Sequence, residues 1–195
     1  VPTGIAMRDA REQLFAAAER VLVRDGANGL SSRAVTDEAG VAKGLLHRHF
    51  PDFDGFLTQF ALEHIARVEA RSAALRESAG TGTVVANLTR ALADLFGPVM
   101  LGVVGLVISR DAVRTRLRQA TGAGVPVLKE ATRMVHGYLV AERDLGRVTP
   151  GADIDALAPT LIGAAHLLLA DKEHTPPHPG DLERAVAAVL AGTRH

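Results

Sequence analysis

Lys43, His47, Arg48 and His49 fall within one run of seven residues, and no acidic side chain lies between Ala39 and Pro51. Four groups able to donate to an anion are gathered there in a chain whose formal net charge is zero. On a helix Lys43 and His47, four apart, share a face. Ammonium, imidazole and guanidinium groups so placed suit phosphate oxygens and the edges of bases. The other chemistry-bearing residues do less. His174 and His178 are four apart with Asp171 nearby, a ligand spacing on a helix. Pro176, Pro177 and Pro179 forbid a regular helix there, so no metal site is expected. No nucleophile–base–acid set stands out and no glycine loop is built to cradle a phosphate. The chain has no cysteine, which removes disulfides, thiolate zinc sites and cysteine nucleophiles. Neither a cofactor nor an enzymatic activity is expected.

The basic cluster needs a carrier, and Ser31–Phe50 supplies one. Ser31 can cap a short helix on which Val35 and Ala39 face inward, Gly40 breaks that helix, and Val41 packs under the turn. A second short helix follows from about Lys43 to His49, with Leu46 and Phe50 inward and Pro51 as its stop. Two short helices around a tight glycine turn are the layout of a helix-turn-helix, whose second helix enters the DNA major groove. Ser32, Arg33, Lys43, Gly44, Leu45, His47, Arg48 and His49 are the expected DNA contacts. Gly44 would let backbone approach closely. Residues 1–57 carry seven basic against eight acidic side chains, so positive charge is local. This argues against a non-specific coat protein, which needs a broad positive field.

The rest of the chain reads as helix. Asp9 and Glu12 resemble a capping box opening a first helix that Gly26 ends. Later helices are expected over about 54–78, 83–96, 98–109, 111–119, 126–145, 153–170 and 181–190, with Pro98 in the first turn of its helix and Gly146 as a stop. Hydrophobic residues make up 47% of the 195, enough for a substantial core, and no strand is predicted. The two longest uncharged runs, Leu95–Ser109 and Ala156–Ala170, fall short of the roughly 18–20 apolar residues that span a membrane. No basic start followed by an apolar run opens the chain, so neither a signal peptide nor a membrane partner is expected, and the location is expected to be cytoplasmic.

Gly26, Ser31, Arg33, Val35, Ala39-Gly40-Val41, Lys43-Gly44, Leu46, His49-Phe50 and Phe56-Leu57 together resemble, without a gap, the amino-terminal domain of TetR-type (TetR/AcrR) transcriptional regulators. Four positions depart from that pattern: Ala42 where Ser is common, Leu45 where Thr is, His47 where Tyr is, and Phe53 near a usual Lys. The resemblance implies an all-α protein of about nine helices. A helix-turn-helix domain over 1–53 would precede a ligand-binding and dimerisation domain over 54–195. It implies a ligand cavity lined by helices four to eight, for which Phe60, His64, Phe96, Met100, Met134, Tyr138 and His166 are the candidates. It also implies a homodimer through the last two helices, where Gly163, Ala164, Ala187, Ala188 and Ala191 permit close packing. The expected function is release of a regulator, commonly a repressor, from a pseudo-palindromic operator by a small lipophilic effector. The competing readings are a helical-bundle enzyme or carrier with a vestigial helix-turn-helix, and an architectural DNA binder without a ligand.

Overall fold

The computed structural model describes residues 3–122, 126–170, 178 and 180–192, and among them the chain forms ten α-helices and no strand. They are α1 (Thr3–Gly29), α2 (Ser32–Ala39), α3 (Gly44–His49), α4 (Phe53–Glu77), α5 (Val84–Leu95), α6 (Pro98–Ser109), α7 (Asp111–Thr121), α8 (Pro126–Asp144), α9 (Ile154–Ala170) and α10 (Asp181–Val189). The resemblance implies about nine; the ten correspond to the segments that the sequence pattern marks one by one, including the separate 98–109 and 111–119, which Arg110 divides in extended conformation (φ −115°, ψ 100°). Helix α1 begins six residues ahead of Asp9, so Asp9 and Glu12 lie inside it and do not cap its start. Gly26 does break it, at φ 72° and ψ −177°.

The helices group into two packing units. One comprises Val1–His64 with Gly102–Val125, the other Ile65–Leu101 with Pro126–His195. Helices α4 and α6 contribute residues to both.

In the first unit α1 packs on α2, and α2 on α3. Its core is aromatic. Phe15, Phe50, Phe56 and Phe60 are all buried, with ring centroids 5.0 to 6.4 Å apart wherever two of them meet. Leu14, Val21, Val35 and Leu46 complete it with no exposed surface. A six-residue helix does not hold itself together in water. Helix α3 is held by Leu46 and Phe50, which drive into this core and leave its other side free.

In the second unit α8 packs on α9, and α10 on both α9 and α5. The apolar stripe of α5 (Val84, Val85, Leu88, Leu92, Leu95) is buried there, as the 3.6-residue period predicts. Pro159 sits inside α9 without ending it. Among the described residues no single helix is long and apolar enough to cross a membrane.

Candidate nucleic-acid interface

The turn between α2 and α3 is built by local chemistry. Ser31 Oγ accepts the Ala34 amide at 3.1 Å and starts α2. Gly40, at φ 67°, ends it in the left-handed conformation that a side chain resists, and its N–H donates back to the Asp37 and Thr36 carbonyls. The Gln13 side-chain amide donates to the Ala39 carbonyl at 2.9 Å and ties the turn to α1. At the adjacent residue, Glu38 accepts from Arg20 and Arg24, each at 2.7 Å. These two α1 guanidiniums hold the Glu38 carboxyl below its ordinary range. The C-terminal end of α2 is thus fastened to α1 through two adjacent residues, Glu38 and Ala39.

Helix α3 then presents the basic cluster. Lys43, His47 and Arg48 are exposed, and His49 is half-buried with its ring 6.5 Å from that of Phe50. Leu45, half-buried, stands beside them. An added Cβ on Gly44 would meet nothing within 4 Å, so no packing of this chain on itself demands glycine there. Of the two expected contacts on α2, Ser32 is half-buried and Arg33 is exposed, bridged to Asp37 at 3.3 Å one turn along. His47 and Arg48 are thus exposed on α3, Lys43 stands at its N-cap, His49 is half-buried, and Arg33 is partly engaged.

Just after α3 in the chain lies a feature that the sequence pattern does not signal. Arg116 on α7 donates through both terminal nitrogens to Asp52, at 2.6 and 2.8 Å. Asp52 Oδ1 also caps α4, accepting the Gly55 amide at 2.6 Å. Arg116 and that amide together bring the Asp52 carboxyl down to about 2. Arg110, between α6 and α7, reaches Asp54 at 3.3 Å and the Leu30 carbonyl at 3.1 Å, with its guanidinium 5.4 Å above the Phe53 ring. A Cβ on Gly55 would come within 3.2–3.3 Å of Pro51, Arg116 and Asp52, so glycine leaves the space in which this clamp closes.

Residues 14–58, from α1 into α4, match the domain family described as bacterial regulatory proteins, tetR family. The chain carries the amino-terminal domain of TetR-family regulators. An uncharacterized HTH-type transcriptional regulator of Haemophilus influenzae is 41% identical over 56 residues, which are 29% of this chain and 30% of that protein. The match thus spans under a third of that relative's length. Solved structures extend the likeness of fold to nearly the whole chain. Escherichia coli NemR in its reduced form has a TM-score of 0.74 at 17% identity, covering 94% of this chain and 96% of that one. A structure described as the molecular basis for control of antibiotic production by bacterial hormones has 0.70 at 23%, covering 96% and 98%. FadR of Bacillus subtilis in complex with stearoyl-CoA has 0.64 at 17%, covering 92% and 95%. The likeness to these structures is one of fold: among the described residues the chain is all-α with an amino-terminal helix-turn-helix, as in TetR-family structures.

The seven residues expected around an effector are divided between the two packing units. Phe60 and His64 belong to the first unit, where their rings meet edge-on at 4.7 Å and His64 Nε2 faces Glu19 at 3.4 Å. Phe96, Met100, Met134, Tyr138 and His166 belong to the second. There Phe96 and His166 meet edge-on at 5.6 Å. Tyr138, fully buried, donates to Glu142 and accepts from Asn87 Nδ2 at 3.0 Å. Burial and the Glu142 carboxylate push the Tyr138 hydroxyl well above the usual phenol range. Glu142 has no exposed surface and is matched by Arg147 Nε at 3.1 Å and the Gly80 amide at 3.3 Å. Asn87 in turn donates to the Thr81 carbonyl at 2.9 Å. Tyr138 is thus part of a closed polar network pinning the 78–82 turn. Two cavities lie in the second unit. One, of about 230 Å³, is lined by Arg71, Leu75, Asn87, Arg90, Asp94 and Met134. The other, an open cleft of about 830 Å³, is lined by residues including Thr83, Arg147, Glu183 and Arg184. Of the seven candidates only Met134 lines either. Among the described residues no three His, Cys, Asp or Glu side chains are grouped to hold a metal ion. His174 and Asp171 lie outside the described residues.

Because its folded value is depressed, Asp52 adds stability that is present above about pH 4 and is lost as pH falls toward 2. In Arg116→Ala the midpoint of its titration, followed by the side-chain carboxyl carbon shift, should climb from about 2 toward 3.8. An unmoved midpoint would show that the Gly55 amide alone sets it.

Proposed function

We propose that this chain is a DNA-binding transcriptional regulator, a repressor released from a pseudo-palindromic operator by a small, largely apolar effector. The observation that carries it is the exposed Lys43, His47 and Arg48 on a short helix whose opposite side is locked into an aromatic core. Residues 1–53 read DNA, and 54–195 bind the effector and dimerise. Lys43 and Arg33 engage phosphates, with Ser32 and the Gly44 backbone close by. Leu45, His47, Arg48 and His49 face base edges, where Leu45 suits a thymine methyl. A homodimer through α9 and α10 would set two α3 helices about 34–36 Å apart, in successive major grooves. Gly163, Ala188 and Ala191 are exposed in the single chain and Leu167 is 75% exposed, which supports an apolar face available to a second copy.

The effector belongs in the second unit. Its cavity of about 230 Å³ sets Leu75 and Met134 beside Arg71 and Arg90, a lining for a small apolar body with one acidic or polar end. Stearoyl-CoA, which the Bacillus subtilis FadR structure holds, is too large for that space. Phe96, Met100 and His166 remain effector candidates of the same unit. Phe60, His64 and Tyr138 act on the effector only through the cores they complete. The effector lowers DNA affinity by binding better to the form in which the two readers are misplaced. The protein works in the cytoplasm without catalysis or a cofactor.

The test is selection of bound duplexes from a random pool, repeated with short-chain fatty acids and their amides added. An enriched, two-fold related sequence is expected, and failure to enrich any duplex would sink the DNA-reading role. With the enriched duplex, Lys43→Ala and Arg48→Ala should each weaken binding about five- to tenfold without changing the helical circular dichroism. Unchanged affinity in both would remove these contacts. Leu167→Asp should convert a dimer to a monomer in sedimentation, and a dimer that persists would place the interface elsewhere.

A further inference from the structure

The clamp just after α3 brings two arginines to two carboxylates that lie 56 and 64 positions earlier in the chain. Exposed ion pairs add little to stability, and the aromatic core beneath already fixes α4. The position of the pairs points to another role. Asp52 and Asp54 are three and five residues beyond His49, the last residue of the exposed basic helix. They are the only acids between Gly40 and Leu62, the first negative charges after the basic helix. Both are paired: Asp52 by two parallel bonds from Arg116, and Asp54 by Arg110, whose guanidinium is also held by the Leu30 carbonyl and the Phe53 ring. Bidentate guanidinium–carboxylate geometry fixes the positive charge against the negative one, which a mobile counter-ion does not.

We infer that Arg116 and Arg110 are positioning residues for DNA recognition that act by charge compensation: they neutralise Asp52 and Asp54, which would otherwise repel the phosphates beside α3. Neither arginine needs to touch DNA for this. The inference rests on the DNA-reading role proposed above and adds that residues 110–116, far along the chain, belong functionally to the reader. Phosphate repulsion by an uncompensated carboxylate acts over about a Debye length, roughly 8–10 Å at 0.10–0.15 M salt, and weakens as salt rises.

A double-mutant cycle tests it, using the duplex enriched by the wild-type protein. Arg116→Ala should weaken binding about tenfold at 0.1 M salt, and by a smaller factor at higher salt. Asp52→Asn keeps an oxygen that caps Gly55 and should bind as tightly as wild type or more tightly. Arg116→Ala with Asp52→Asn should return to within about threefold of wild type. Arg116→Ala with Glu12→Gln, which makes the same change of net charge on exposed α1, should stay weak. Wild-type affinity in Arg116→Ala, no rescue by Asp52→Asn, equal rescue by Glu12→Gln, or a tenfold loss in Asp52→Asn alone would each overturn compensation. If Arg116→Ala fails to fold, the Asp52→Asn arm still decides. Should no duplex be enriched by the wild-type protein, both the reading role and this inference fall. An enriched duplex with an uncoupled cycle removes the clamp alone.

Discussion

Everything exposed on α3 depends on what is buried beneath it. Six residues make less than two turns, too few to stay helical unaided. The seat for this short helix is the cluster of Phe15, Phe50, Phe56 and Phe60, which takes four of the six phenylalanines of the chain. Each ring pair contributes about 0.5–1.5 kcal/mol beyond its buried area, and the tilted and edge-on geometries lock one arrangement. Phe50 ends α3, Phe56 and Phe60 sit on α4, and Phe15 sits on α1. One contact set therefore orients α3, the helix after it and the helix that braces both. Arg11 covers the outside, its guanidinium 5.2 Å from the Phe15 ring and 5.5 Å from that of Phe50.

Legibility in the sequence followed the range of the forces involved. The helix-turn-helix could be read because its determinants are local: the Ser31 cap, the Gly40 turn, the spacing of Val35, Ala39, Leu46 and Phe50, and Pro51 after them. Most later helices could be bounded for the same reason, by Thr83, Pro98, Gly122 and Gly146. The start of α1 was misplaced because Asp9 and Glu12 have cap-like spacing, yet the helix continues ahead of them. Long-range pairing left no such trace. Arg116 and Arg110 look like ordinary members of an arginine-rich surface helix, and nothing periodic links them to Asp52 and Asp54.

The effector residues illustrate the same divide from within the core. Phe60 and Tyr138 are large and apolar enough to line a cavity, but each finds its partners inside the protein. Asn87, a polar residue in the buried stripe of α5, and Glu142, one turn from Tyr138, were the available signals of a satisfied network. A pattern-based reading treats a glutamate late in α8 as a surface charge. Its complete burial follows only when Arg147, the Gly80 amide and the Tyr138 hydroxyl converge on it, which takes three separate segments of chain. Such a network is costly to open partway, because any member removed leaves a buried polar group unmatched.

That network has an optical consequence. The chain contains one tyrosine and no tryptophan, so its near-ultraviolet absorption and emission originate mainly from a single phenol. The phenol is Tyr138, enclosed and hydrogen-bonded to a carboxylate, a neighbour able to quench it by accepting its proton in the excited state. The protein thus contains its own spectroscopic reporter. It is tuned to whether the Asn87–Tyr138–Glu142–Arg147 chain of bonds is closed.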